Sequence, residues 1–178
     1  MAPTIAPPRA RVGGYSFTNV GGKEYNFVDT TVNQECDTTG AVTLLNGVAA
    51  GTSASQRIGR KINIRSIAMN LRLVAKATTT ISDCRIVLVW DTQTNAAAPA
   101  ITDIYDAINA TSMRNISNGS RFRILRVWEE VIIGNSATPA SGQEARIFKD
   151  WRLCNFVTTY NAGGGATVGD ITTGGYLS

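Results

Sequence analysis

Residues 62–74 read INIRSIAMNLRLV, and the alternation of apolar and polar residues in this segment decides the fold. The apolar residues occupy even positions up to Ile64 and odd positions from Ile67 onward. Because successive side chains of a strand point to opposite faces, one extra residue near Arg65 would return the apolar residues to one face. The segment therefore predicts a long, half-buried strand with a β-bulge at this point. The polar face of that strand would carry Lys61, Asn63, Arg65, Asn70 and Arg72.

Four further segments have the β-branched and aromatic residues that strands favour. They are residues 24–32, 84–90, 121–133 and 146–160. Between them, Ile101, Ile104, Tyr105 and Ile108 have the spacing of one helical face, which predicts a short helix. Strand following strand, with long loops and one helix, indicates an all-β protein built as an antiparallel β-sandwich.

The start of the chain differs in composition from the rest. Residues 1–14 contain three of the five prolines, which predicts a flexible N-terminal arm that cannot bury enough surface to order itself. The arm has no apolar run of the kind found in signal peptides. No segment approaches the ~20 apolar residues of a membrane span, so we expect no membrane partner.

The histidine and cysteine content restricts the chemistry. The chain contains no His, so a Ser-His-Asp triad and a His-ligated metal site cannot exist. Cys36, Cys84 and Cys154 fit no CxxC pattern, and we expect thiols of a reducing compartment, buried at Cys84 and Cys154, rather than ligands or a disulfide. Glu129 and Glu130 are adjacent, so in a strand they point to opposite faces and cannot form a catalytic pair. We therefore predict that the protein is not an enzyme and uses no cofactor.

Charge is distributed unevenly along the chain. Lys and Arg number 17 and Asp and Glu number 13, but two blocks contain bases without acids. Between Asp37 and Asp83 there are six bases, and between Asp106 and Glu129 there are four. Most of them are Arg, whose planar side chain can bond two phosphate oxygens at once. The blocks predict contact with nucleic acid, although solvated faces and ion pairs between subunits give the same pattern.

The residues expected to contact nucleic acid come from the arm and from these two blocks. The first group is Arg9, Arg11, Arg57, Arg60, Lys61 and Arg65, and the second is Arg121 and Arg123. They would neutralise phosphates and release counterions, with little reading of bases. Tyr15 lies near the arm and could stack on a base, whereas Trp90, Trp128 and Trp151 are expected in the core or at subunit contacts.

Five segments, taken in order, carry a resemblance to a known family. The first is LLNGVAAGTSASQRIGRKINIRS, residues 44–66. The others are VLVWDTQTN (87–95), Asp103-Ile104, NGSRFRIL (118–125) and GDITTG (169–174). Together they resemble the coat proteins of small circular single-stranded DNA viruses, the circovirus-like and related groups, over residues 24–177.

The resemblance implies a single jelly roll over residues 15–178, with eight strands, and a closed icosahedral T=1 shell of sixty copies around the genome. It favours single-stranded DNA over RNA as the cargo, although the plant satellite viruses, which carry RNA, share the architecture. Members of that family commonly have a long Arg-rich arm, whereas the arm here offers Arg9 and Arg11. The protein would belong to the virion and assemble inside the host cell, in the nucleus or elsewhere, and the host receptor is not implied.

Two alternatives remain open. A jelly roll also supports carbohydrate- or ligand-binding modules, so the fold alone does not exclude such a function. A group of acidic residues suits Ca²⁺ at subunit contacts, but helix caps and surface charge explain it more simply, and we assign no metal site. These residues are Asp29, Glu35, Asp37, Asp103 and Asp106.

Overall fold

A computed structural model describes residues 25–75, 81–134 and 145–178. The expected arm over residues 1–14, with Arg9, Arg11 and Tyr15, lies outside the described residues and stays a prediction. Within the described ranges the chain forms six strands, one α-helix and one 3-10 turn. These are β1 (Lys61–Val74), β2 (Ile81–Asp91), α1 (Ile101–Ile104), β3 (Phe122–Ile133), β4 (Ala145–Tyr160), the 3-10 turn (Val168–Asp170), β5 (Ile171–Thr173) and β6 (Tyr176–Leu177).

The six strands form two antiparallel sheets, with the strand orders β1-β4-β5 and β3-β2-β6. Apolar side chains between the sheets form the core. Trp90 of β2 stacks on Phe156 of β4 with ring centres 4.5 Å apart, and Ile67 of β1 and Trp128 of β3 belong to the same buried cluster. The predicted all-β sandwich with one short helix is confirmed, and its arrangement is consistent with a jelly roll.

Strand β1 confirms the prediction made from its alternation. Its pairing with β4 shifts register between Ile64 and Ser66, which places the bulge at Arg65. Ile64 and Ile67 both pack into the core, although one has an even number and the other an odd number. The bulge therefore keeps one apolar face along the whole strand. The predicted polar face is exposed at Lys61, Asn63, Arg65, Asn70 and Arg72.

The segment before β1 differs from the prediction. Residues 25–32 are exposed and contain no strand, so the strand predicted over residues 24–32 was wrong for the part that the structure describes. A favourable composition is not sufficient, because a strand also needs a neighbour for its main-chain hydrogen bonds. Among the described residues this segment has no such neighbour; the Asn26 side-chain amide donates to the Gln56 carbonyl at 2.9 Å.

Helix α1 is present where the spacing predicted it, but it is a single turn. It ends at Tyr105, whose N–H donates to the Ile101 carbonyl at 2.8 Å. Its start is closed by Asp103, whose carboxylate accepts the N–H of Ala100 at 2.8 Å. None of the helices in the described ranges has the length and apolar character needed to cross a membrane.

The expectation that the three cysteines are separate thiols was wrong for two of them. Cys36 and Cys84 form a disulfide, with Cα atoms 6.2 Å apart, and are therefore not the separate thiols that their spacing indicated. Forty-eight positions separate them along the chain, and only the folding of the segment before β1 against β2 brings them together. Cys154 is a free thiol, as predicted, and its partial burial raises its pKa.

A groove of about 670 Å³ follows one edge of β2. Strand β6 pairs with β2 at Trp90 and Asp91, and Ser178 continues this pairing by exchanging two main-chain hydrogen bonds with Val89. Towards the start of β2, no strand of the described residues pairs with this edge. The groove is walled on the other side by residues 32–45, and the Leu45 N–H donates to the Leu177 carbonyl at 2.8 Å.

Candidate nucleic-acid interface

The paired strands β1 and β4 present one broad face to solvent, called here the outer face. Exposed side chains alternate along both strands with less exposed side chains that point to the opposite side of the sheet, most of them apolar. In register, Ala68 lies opposite Trp151, and Asn70 lies opposite Lys149. The exposed side chains that form the outer face are Lys61, Asn63, Arg65, Ser66, Ala68, Asn70, Arg72, Ile147, Lys149, Trp151, Leu153 and Asn155.

All charges of the outer face have the same sign. They are carried by Lys61, Arg65, Arg72 and Lys149. Strand β1 contains no acid, and the single acid of β4, Asp150, points to the opposite side of the sheet. There its Oδ2 lies 3.7 Å from Nε of Arg126. An anionic polymer would therefore meet no carboxylate of these two strands on the outer face.

Amide and apolar groups lie among these cations. The Asn63 side-chain amide donates to Oδ1 of Asn155 at 2.7 Å, across the two strands. Trp151 is 63% exposed and Leu153 is 70% exposed. The outer face thus combines positive charge, amides that can form hydrogen bonds, and one uncovered indole ring.

Arg57, the central residue of the first predicted group, is buried and only 3% exposed. Its Nε donates to the Val48 carbonyl at 2.8 Å, its Nη1 to the Gly59 carbonyl at 2.6 Å, and its Nη2 to the Gly163 carbonyl at 2.9 Å. The guanidinium also lies over the ring of Tyr160. Because all three nitrogens are bonded inside the protein, Arg57 has a structural position here and does not reach a phosphate.

The second predicted group, Arg121 and Arg123, does not lie on the outer face either. Arg121 donates from Nε and Nη2 to the two carboxylate oxygens of Asp91, at 2.9 and 2.7 Å. Asp91 is fully buried, and the hydrogen bond raises the pKa of Arg121. Arg123 is exposed, but it extends from β3 towards Phe156, with its guanidinium carbon 5.7 Å from the ring centre. That ring belongs to the inner side of β4.

Three predicted contacts remain together at the start of β1. Arg60 and Lys61 are adjacent and exposed, and Arg65 follows on the same strand. The carbonyl of Arg60 accepts the N–H of Tyr160 at 2.7 Å, which fixes this end of β1 to the end of β4. The structure therefore leaves Arg60, Lys61 and Arg65 available to a polyanion.

Two cations were not among the predicted contacts. The alternation of β1 already placed Arg72 on the polar face, but it was not chosen as a contact. Lys149 could have been found from the period of two through residues 147–155, which puts it in phase with Trp151. The sequence could not show that β1 and β4 are neighbours. Their pairing places the cations of β1 and Lys149 of β4 on one surface.

Two of the acidic residues considered for calcium, Asp37 and Asp103, form local hydrogen bonds. In the described ranges, no group of three or more Cys, Asp and Glu residues is arranged to hold a metal ion. The Asp37 carboxylate accepts the hydroxyl of Thr39 at 2.6 Å and the N–H of Gly40 at 3.0 Å, and these hydrogen bonds lower its pKa. Together with the contact of Asp103 at the start of α1, this agrees with turns and caps as the simpler explanation.

Two known groups of proteins are similar to this chain. Residues 17–169 match the family described as Satellite tobacco necrosis virus coat protein. The coat protein of Maize white line mosaic Satellite virus is 31% identical over 105 residues, which cover 58% of this chain. These residues make up 45% of that coat protein, so the aligned part spans about half the length of the curated relative.

These matches overturn the resemblance to coat proteins of small circular single-stranded DNA viruses, which was wrong. That resemblance rested on five short segments, whereas the satellite virus match covers residues 17–169. The preference for DNA as the cargo falls with it. The prediction that the chain is not an enzyme is confirmed, because the matching proteins are coat proteins.

Proposed function

Because the chain belongs to the Satellite tobacco necrosis virus coat protein family, we propose that it assembles with copies of itself into a closed shell around single-stranded RNA. The observation that carries the proposal is the extent of the match, which includes all four long strands of the sandwich. Satellite viruses of this kind have RNA genomes, which favours RNA over DNA. The shell would be icosahedral, with T=1 symmetry and sixty copies, and it would form inside the host cell.

The charge of the protein supports a role for the outer face in holding the RNA. Sixty copies with a net charge of +4 would bring about +240, whereas a genome of about a thousand nucleotides brings one negative charge per nucleotide. Positive charge is therefore scarce relative to the phosphates of the genome. Each cation attracts phosphate most strongly where no neighbouring carboxylate offsets its charge. The outer face meets this condition with Lys61, Arg65, Arg72 and Lys149, and Arg60 lies beside it.

The outer face would thus be turned towards the interior of the shell. Its cations would neutralise phosphates and release counterions, which binds any sequence and weakens with added salt. Arg9 and Arg11 are part of the same proposal, since an arm near the interior would add two cations per copy. A carbohydrate-binding module is no longer favoured, because the family match is to coat proteins.

The proposal can be tested by purifying the protein and examining it by negative-stain electron microscopy, with the ratio of absorbance at ~260 and ~280 nm taken on the same fraction. We expect uniform small particles with a high nucleic-acid content that ribonuclease removes after the shell is opened. A protein that stays monomeric at high concentration would contradict the assembly.

A matched pair of variants tests the surface separately. Arg65→Gln with Lys149→Gln removes two positive charges from the outer face, whereas Arg123→Gln with Arg126→Gln removes two from β3, which belongs to the other sheet. We expect the first pair to form shells with less RNA and the second to package as the parent does. Equal loss of RNA in both would show that only total charge matters, and that the outer face has no special part.

A further inference from the structure

We infer that Trp151 is a stacking platform for unpaired RNA bases at the centre of the outer face. The inference rests on the proposed packaging of RNA and deepens it by naming the chemical class that is recognised. Cations alone bind duplex and single strand alike, whereas a flat ring in an open position can bind only a base that is free of its pairing partner.

The ring of Trp151 is exposed, unlike the rings of the other two tryptophans. Trp90 and Trp128 also lie on strands, and both are expected core residues that the fold buries to 5% and 8% exposure. Trp151 is 63% exposed, so most of its apolar surface contributes nothing to the packing of the described chain. An uncovered indole of this size needs a partner in the functional state of the protein.

The residues around Trp151 leave its ring accessible. The residue opposite on β1 is Ala68, and its neighbours on the same strand are Ser66 and Asn70, which are small or polar. Such neighbours leave the indole free to present a face to a ligand. On β4 the neighbours on the same side are Leu153 and Lys149, each about 7 Å along the strand, so a phosphate bound at Lys149 would be next to a base on Trp151.

The charge of the outer face favours RNA over a second copy of the protein as its ligand. Two copies that met through this face by a twofold axis would bring Arg65, Arg72 and Lys149 against the same cations, with no acid of β1 or β4 between them. The β2–β3 sheet exposes Glu129 and Asp83, but the Glu129 carboxylate is already bonded to Nε of Arg85 at 2.7 Å, which leaves Asp83 to face the four cations of a second copy. Charge complementarity therefore favours a polyanion.

The test uses the full chain at a concentration below that at which particles form. Probes are an oligoadenylate of about 12 nucleotides, within the usual site size of single-strand binders, and an RNA duplex of the same length. We expect the single strand to quench tryptophan fluorescence, and Trp151→Phe to abolish most of that quenching while keeping part of the affinity. Trp151→Ala should bind the single strand about tenfold more weakly, with a much smaller change for the duplex.

Leu153→Ala is the matched control, because Leu153 is equally exposed on the same face and has no ring. It should bind the oligoadenylate and form shells as the parent does. If Trp151→Ala and Leu153→Ala both prevent shell formation and neither changes oligoadenylate binding, the face is a contact between subunits and the inference is overturned. Failure of the parent protein to form shells would count against the proposed assembly, while the oligoadenylate result would still decide the role of Trp151.

Discussion

The guanidinium carbon of Arg57 lies 4.3 Å from the centre of the Tyr160 ring, and this pair joins the loop before β1 to the end of β4. The hydroxyl of Tyr160 donates to the carbonyl of Asn46, so the tyrosine is fixed both by this hydrogen bond and by the guanidinium over its ring. The acceptors of Arg57 come from three separate parts of the chain, around residues 48, 59 and 163. Arg57 therefore connects three segments of the chain through hydrogen bonds.

Replacement of Arg57 should destabilise the protein strongly. We expect Arg57→Ala to lower the free energy of unfolding by about 3 kcal/mol or more, because buried carbonyls lose their donors. The matched control is Arg60→Ala, an exposed Arg three positions on, for which a change within about 0.5 kcal/mol is expected. Urea denaturation of both variants measures the difference, and similar midpoints would contradict the structural position of Arg57.

Because Arg121 forms an ion pair with the buried Asp91, we predict that substitutions at these two positions have strongly non-additive effects on stability. Arg121→Ala leaves a carboxylate without its partner in the core, which should cost about 3–5 kcal/mol of stability. The double variant Asp91→Leu with Arg121→Met removes both charges and should recover much of that loss. A double-mutant cycle from chemical denaturation measures the coupling, and additive effects would argue against the pair.

Two buried tyrosines predict how stability depends on alkaline pH. Burial raises the pKa of Tyr160 and that of Tyr176 to about 12, from an ordinary value near 10. The unfolded chain therefore loses these protons first, so stability is constant below pH ~10 and falls between pH ~10 and ~12, by up to about 3 kcal/mol for each tyrosine.

Thermal melting of two variants across this pH range, one at a buried tyrosine and one at an exposed tyrosine, measures how much the buried tyrosines contribute to the loss of stability. Tyr176→Phe should reduce the slope of stability against pH. Tyr25→Phe, at a position that is 75% exposed, should leave the slope as it is in the parent. An unchanged slope in Tyr176→Phe would mean that other groups cause the alkaline unfolding.

The disulfide between Cys36 and Cys84 predicts a dependence on redox conditions. Closing a loop of 48 residues removes entropy from the unfolded chain, for which polymer theory gives about 4 kcal/mol. We expect reductant to lower the melting temperature of the parent and to leave that of Cys36→Ser unchanged. Cys154→Ser is the control, because Cys154 is a free thiol and its variant should still respond to reductant.

The sequence predicted those features that depend on local periodicity. The strand β1, its bulge at Arg65 and the turn of helix at Ile104 all follow from the spacing of apolar residues over a few positions. The strand expected before Val32 did not form, because composition does not tell whether a neighbouring strand exists. The disulfide of Cys36 was missed for the same reason, since its partner is distant in sequence.

The candidate site was predicted only in part, because exposure depends on distant residues. Lys61 and Arg65 were placed correctly on a polar face, whereas Arg57 was assigned to the same surface from its position in a basic block. A run of bases does not reveal which of them finds carbonyl acceptors inside the fold. The exposure of Trp151 could not be read from its strand either, since alternation defines two faces and does not say which one is covered.

The Leu45-Asn46 segment is held in place by hydrogen bonds within the protein. The buried side chain of Asn46 donates to the hydroxyl of Thr158 and to the carbonyl of Gly175, and its Oδ1 accepts the N–H of Leu177. It thus satisfies three polar groups between the two sheets. Part of the segment that resembled a viral coat protein therefore serves the fold and not the genome.

The groove beside β2 has room for a continuation of strand β6. We therefore predict that residues added to the end of β6 would pair with β2. Because Leu177 pairs with Trp90, residues appended after Ser178 would fall opposite Leu88 and then Ile86 at the first and third added positions. A tail of alternating Val and Thr would place its Val side chains in the core and its main chain along the part of the β2 edge that no described strand covers. We expect it to raise the melting temperature by several degrees, as a gain of about 1 kcal/mol does in a domain of this size. A Gly-Ser tail of equal length is the control, and equal melting temperatures for both tails would show that the groove does not take a strand.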